Sequence, residues 1–346
     1  MIYPWQTDDW NRLQALRAHW PHALLLYGQA GIGKLAFARH LAKGFLCETP
    51  RENGEPCGAC AACTWFEQGN HPDYRIVVPE ALAAELPGAA DEPKAADADA
   101  DEGGKKARTP SKEIKIEQVR ALVDFCGIAS HRGGARVVVL YPAEALNVAA
   151  ANALLKTLEE PPSGVVFLLA SARVDRLLPT IVSRCRQWPM AVPAPDAAAA
   201  WLAAQQVADA NALLAEAGGA PLAALALAND ENRPLRDWTL AQLAAGAACD
   251  PFACGETLQK LPVPVVLGWL QRWLYDLLAE RAAGAPRYFP AQRAALARCA
   301  AAADANAFAR FLKTVTRQRA VENHPLSARL VFEELFLGYR ELFASP

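Results

Sequence analysis

The sequence predicts an α/β domain built on a parallel sheet, followed by two wholly helical regions. Three observations carry this. Apolar runs and amphipathic helical stretches alternate up to about Trp188. The stretch GQAGIGKLAFA, Gly28 to Ala38, fits G-x-x-x-x-G-K, a phosphate loop that joins a strand to a helix. Beyond PMAVPAPD the Ala- and Leu-rich pattern is helical throughout. A chain of 346 residues can bury two or three cores. The expected divisions are 1–190, 191–232 and 233–346.

Ala23 to Tyr27 read as the first strand, the glycines that follow as the turn, and Leu35 to Phe45 as a helix. Residues 47–63 are rich in Cys, Gly and Pro, and Tyr74 to Val78 suit a second strand. From about 80 to 112 the composition turns to Ala, Asp, Glu and Pro and then to a basic patch. Large apolar residues are missing from Pro87 to Lys112, so this reads as a disordered surface insertion. IKIEQVRALVDFC is an amphipathic helix, and Val137 to Tyr141 a buried strand. NVAAANALLKTLEEPP is a helix stopped by Pro161 and Pro162, and GVVFLLAS another buried strand. A small helical segment then runs from Asp196 to about Asn229, with GGAPLAALALA as a glycine-initiated helix. A larger helical region ends in LSARLVFEELFLGYRELF, where Trp269, Trp273, Phe332 and Phe336 are expected in a core or interface.

Hydrophobic residues make up 53%, and 35 Lys and Arg face 37 Asp and Glu, a net charge of −2. That balance argues against unaided nucleic-acid binding. No apolar run reaches membrane-spanning length, and MIYPWQTDDW lacks a signal-peptide pattern, so a cytoplasmic protein without a membrane partner is expected. Nine cysteines in that compartment suggest metal ligands or buried thiols rather than disulfides. Four of them, Cys47, Cys57, Cys60 and Cys63, have the spacing C-x9-C-x2-C-x2-C. Four thiolates suit tetrahedral Zn²⁺ in a closed, structural site. An iron–sulfur cluster, unrelated buried thiols, or a redox pair of Cys57 and Cys60 use the same residues differently.

The phosphate loop departs from its pattern at one point. Leu35 stands where Ser or Thr would hold Mg²⁺. Gly28, Gly31, Gly33 and Lys34 keep the backbone cradle and the lysine. They can hold a nucleotide loosely, or they persist as a well-formed turn, and ATP binding is left open.

Several pieces stand together in order: the phosphate loop, the cysteine module, HPDY at His71 to Tyr74, NALLKTLEEPP, FLLAS and SRC. Together they resemble the clamp-loader branch of the AAA+ superfamily. The resemblance is specific over the first two thirds of the chain and rests on helical character beyond. It implies a RecA-like AAA+ P-loop domain at 1–190, a small helical lid at 191–232 and a helical collar at 233–346. Active members end the third strand with Asp-Glu, which hold Mg²⁺ and polarise water; here Tyr141 and Pro142 take those places. Glu144, the nearest carboxylate, falls on the turn or helix that follows and is expected to face solvent. Ser171 takes the sensor position. The lid's nucleotide-sensing arginine would fall near GGAPLAALAL, which has none. In Ser183-Arg184-Cys185 the resemblance makes Arg184 a finger that reaches a neighbouring subunit's ATP site. The implied function is a non-hydrolysing subunit of a DNA-directed DNA polymerase holoenzyme, not a catalyst by itself. It would help ATP-driven loading of the sliding clamp onto primed DNA, beside delta and gamma/tau ATPase subunits. An active ATPase of the same branch and a zinc-dependent nucleic-acid-binding protein are the alternatives.

Overall fold

Continuous apolar runs become the inner strands of one sheet, because a strand covered on both faces has no solvent side to alternate with. The strands are β1 (Ala23–Tyr27), β2 (Tyr74–Val77), β3 (Arg136–Leu140), β4 (Val165–Ser171) and β5 (Arg186–Pro189). All pair in parallel, in the order β2-β3-β4-β1-β5. Strands β3 and β4 are buried at every residue, and β1 at all but Tyr27. Each leucine of Leu24 to Leu26 is fully buried, a contribution of about 1.5–3 kcal/mol apiece relative to exposure. Register sets Tyr27 beside Ser171 and Pro189, so the carboxyl ends of β4, β1 and β5 lie level. In open α/β sheets that edge is where ligands bind.

The computed structural model describes residues 2–89, 110–131, 134–320 and 327–344, and the chain divides into two units, Met1–Pro193 and Ala194–Pro346. The helices of the first are α1 (Thr7–Gln14), α2 (Lys34–Leu46), α3 (Ala61–Glu67), α4 (Glu80–Ala83), α5 (Ile116–Gly127), α6 (Val148–Glu159) and α7 (Pro179–Arg184). The Asn147 side chain caps α6 by accepting from the Ala150 N–H. Asp9 of α1 accepts from the Trp188 indole on edge strand β5, and the Arg12 guanidinium lies over the same ring, 4.8 Å from its centre. Neither α1 nor β5 was marked out by a strong apolar pattern.

The stretch expected to be disordered from its composition, about 80–112, is ordered at both of its ends. Glu80 in α4 pairs with Lys115 and accepts from the Ser111 N–H, and the Ala81 N–H donates to the Ser111 carbonyl. Residues 90–109, the remainder of that stretch, lie outside the described residues.

The second unit is helical: α8 (Pro195–Ala204), α9 (Ala210–Glu216), α10 (Pro221–Ala228), α11 (Arg233–Ala244), α12 (Pro251–Leu258), α13 (Val263–Ala283), α14 (Arg293–Ala302), α15 (Ala305–Ala320) and α16 (Ala328–Arg340). The glycines of GGAPLAALALA do not open α10. Gly218 and Gly219 take positive φ and close α9, the Gly219 N–H donating to the Leu214 carbonyl; Pro221 then starts α10. Leu202, Leu213 and Leu214 centre one small cluster, and Trp269, Trp273, Phe332 and Phe336 centre the larger core, as their types suggest. Within that core the Trp273 N–H donates to the Tyr339 hydroxyl at 2.9 Å, which donates to the Leu243 carbonyl at 2.6 Å. Among the described residues no single helix is long and apolar enough to cross a membrane.

Tyr339→Phe keeps the ring and strips both partners. Unfolding followed in denaturant is expected to show a loss of about 1–3 kcal/mol, the cost of leaving buried polar groups unpaired.

Candidate functional site

The phosphate loop follows β1 directly and is shaped by two close approaches. Gly28 has φ 151°, and a Cβ there would sit 2.3 Å from the Met190 carbonyl oxygen at the end of β5. Gly33 has φ 91°, and its Cβ would strike the Tyr3 ring at 2.5 Å. No side chain fits either position. Gly31 also takes positive φ. Helix α2 begins at Lys34, so its first N–H groups open at the loop as an anion cradle.

Lys34 does not extend from that cradle. Its side chain is buried, and Nζ donates to the carbonyls of Gly28 at 2.9 Å and Gln29 at 2.6 Å. Burial pulls its pKa down to about 8, against which the charge of Glu144 works. Leu35 follows on the first turn of α2 with no hydroxyl to offer.

An N-terminal turn unmarked by any motif lies against the loop. Gln6 is fully buried, and its amide donates to the carbonyls of Ile32 at 3.0 Å and Gly33 at 3.1 Å. The Trp5 indole donates to the same Ile32 carbonyl, and the Tyr3 and Trp5 rings stack at 4.9 Å. The only signal in the sequence was the aromatic pair itself.

Tyr141 and Pro142 follow β3 through a cis peptide, at the carboxyl edge of the sheet. Burial and then the charge of Glu144 raise the Tyr141 phenol. Ser171 is fully buried; its hydroxyl accepts from the Arg173 N–H and its carbonyl from the Gly28 N–H. Glu144 does not face solvent as expected. Its Oε1 accepts from the Ala172 N–H at 3.0 Å, and Oε2 is buried with no hydrogen bond. The short 3-10 turn at Ala143–Ala145 carries it back over the end of β4.

Arg184 closes α7, one residue after Ser183. Its Nη1 donates to the Thr180 carbonyl at 2.8 Å and its Nη2 pairs with Glu159, the last residue of α6. A third of its side chain is exposed. The Cys185 thiol beside it is buried, which pushes its pKa up to about 12.

The four spaced cysteines come together. Cys47 caps the end of α2, and Cys60 caps the start of α3, its sulfur accepting from the Cys63 N–H. All four sulfurs lie within 4.8 Å of one another, Cys47 and Cys60 at 3.8 Å. Sulfurs about 2.3 Å from a central Zn²⁺ in a tetrahedron stand about 3.8 Å apart. Backbone N–H groups of residues 57, 59, 60 and 63 point at these sulfurs, as suits thiolate charge. The residues fit a four-coordinate metal ion.

A phosphate loop that joins β1, flanked by β4 and β5 in a parallel sheet, to helix α2 defines a P-loop protein. The family described as "DNA polymerase III, delta subunit" matches residues 6–193. The DNA polymerase III subunit delta' of Pseudomonas aeruginosa is 41% identical over 291 residues, 80% of this chain and 77% of that one. The Escherichia coli subunit delta' is 34% identical, over 80% and 76%. The Escherichia coli subunit tau is 36% identical over 178 residues, 51% of this chain and 22% of its own. This chain belongs to the family of DNA polymerase III delta-prime subunits.

Gln6→Ala removes the amide that donates to the Ile32 and Gly33 carbonyls, which keep the Trp5 indole and the Phe37 N–H as donors. A loss of about 0.5–1.5 kcal/mol is expected, with faster amide exchange confined to residues 28–34 in hydrogen–deuterium exchange.

Proposed function

We propose that this clamp-loader subunit does not hydrolyse ATP and instead presents Arg184 to the ATP site of a neighbouring gamma or tau subunit. The observation that carries the reading is the metal side of its own loop. Leu35 has no hydroxyl, Tyr141 and Pro142 have no carboxylate, and Lys34 turns its ammonium inward. In-line phosphoryl transfer depends on a metal and a positioned nucleophile, and these residues supply neither. Gly28, Gly31, Gly33 and Lys34 are then vestigial as a nucleotide site, and Ser171 holds a sensor position without metal chemistry to report.

The partial exposure of Arg184 supports a role outside its own chain. It sits at the last turn of α7, partly exposed, with its guanidinium steadied by Glu159 and the Thr180 carbonyl. A planar fork so held neutralises charge developing on a γ-phosphate offered by a partner. The delta and gamma/tau subunits are the partners, and the sliding clamp and primed DNA are met through the assembled complex. Residues 191–232 serve as lid and 233–346 as the collar that joins the ring, in the cytoplasm. Cys47, Cys57, Cys60 and Cys63 hold a structural zinc, which ties the end of α2 to α3 and leaves no position for substrate.

The experiment is reconstitution of the ring with wild-type or Arg184→Ala chain. Arg184→Ala is expected to assemble normally and to lower DNA-stimulated ATPase and clamp loading. A transferred arginine is worth ~10³ or more at its own site, and the whole-ring loss is smaller because other sites keep theirs. Arg184→Lys rescues poorly. Full activity with Arg184→Ala, or steady turnover by the isolated chain lost on Lys34→Ala, overturns the reading.

Metal analysis of reduced, purified protein is expected to find about one zinc per chain. Cys60→Ser lowers that content and the melting temperature together. Protein free of zinc at full stability would exclude the metal role.

A further inference from the structure

The carboxylate of Glu144 is fixed beside the phosphate loop by an unbroken chain of hydrogen bonds. The Lys34 ammonium donates to the Gly28 carbonyl, the Gly28 N–H to the Ser171 carbonyl, and the next N–H, of Ala172, to Glu144 Oε1. The relay crosses the paired ends of β1 and β4, where Tyr27 lies beside Ser171. The second oxygen, Oε2, is buried and accepts no hydrogen bond among the described residues. A partly buried carboxylate so placed acts over several ångströms on whatever else is charged there. Its effect is felt at Lys34, at Tyr141 and at Arg173.

A nucleoside triphosphate brings its own negative charge to the same N–H groups and the same lysine. It would meet repulsion from Glu144, and it would have to draw Lys34 away from two carbonyls and a favourable field. We propose that Glu144 is a built-in counter-anion of the phosphate loop, which stabilises the inward lysine and sets the loop's affinity for polyphosphates low. The low affinity is then a property of one carboxylate, not of a damaged cradle. This rests on the reading that the chain does not hydrolyse ATP, and deepens it by naming what the site refuses and by which group.

The test titrates a fluorescent ATP analogue, and separately inorganic pyrophosphate as competitor, into the full-length protein without added Mg²⁺. Glu144→Gln keeps an oxygen for the Ala172 N–H and removes the charge. It is expected to tighten binding about tenfold, the scale of one unit charge roughly 10 Å away at an effective dielectric near 20. The double variant Glu144→Gln, Lys34→Ala should lose that gain, because the lysine is the group released. Glu144→Ala serves in the same role if the glutamine variant does not fold. Unchanged or weaker binding in the folded variant, no binding by any form, or a gain that survives loss of Lys34 overturns the proposal. ATP turnover by the wild-type chain, measured in parallel with Mg²⁺, would instead overturn the non-hydrolysing reading and leave the affinity comparison standing on its own.

Discussion

The Lys34 ammonium donates to the carbonyls of Gly28 and Gln29, and the phosphate loop closes around that inward turn. A buried ammonium must be paired or hydrogen-bonded, and the loop that would have lent its lysine to phosphate here supplies the acceptors itself. The consequence spreads outward along specific contacts. Gly28 is held to β4 through Ser171, and Ile32 and Gly33 are held to the N-terminal turn through Gln6 and Trp5. The loop is therefore supported from the sheet side and from the turn side without a ligand.

Much of this fold was legible because buried parallel strands write themselves as apolar runs. Ala23 to Tyr27 has the same bounds in sequence and structure, and GVVFLLAS differs from β4 only by its leading glycine. The edge strand β5 was harder to read, since Arg186 and Gln187 face outward and leave only Trp188 as an apolar mark. The glycines at 218 and 219 misled because composition does not say whether a glycine ends one helix or precedes the next; positive φ decides it. At the site, the missing Mg²⁺ ligands and the cysteine spacing were plain, since each is a matter of residue type at fixed intervals. The contacts of Gln6 and of Glu144 were not, because each joins segments about 26 or 28 residues apart in the chain.

The HPDY stretch shows how a motif can be structural throughout. The His71 ring accepts from the Asp73 N–H, and the Asp73 carboxylate accepts from the His131 N–H, so one buried aspartate pins the approach to β2 against the turn before β3. Nearby, Phe66 of α3 meets Tyr74 of β2 at 4.5 Å between ring centres. The helix that carries Cys63 is thus fastened to the sheet edge as well as to its sulfur neighbours. Each attachment leaves the other to be removed separately.

Gly28 shows what such packing means for the history of a protein. Its missing side chain makes room for the Met190 carbonyl, and Met190 in turn donates its N–H to Tyr27 as β5 ends. The strand so fastened is the one that Arg184 leads into. Selection on the shape of that strand alone is enough to forbid any larger residue at position 28. A glycine of a nucleotide signature can in this way be required by its neighbours whether or not a nucleotide is bound.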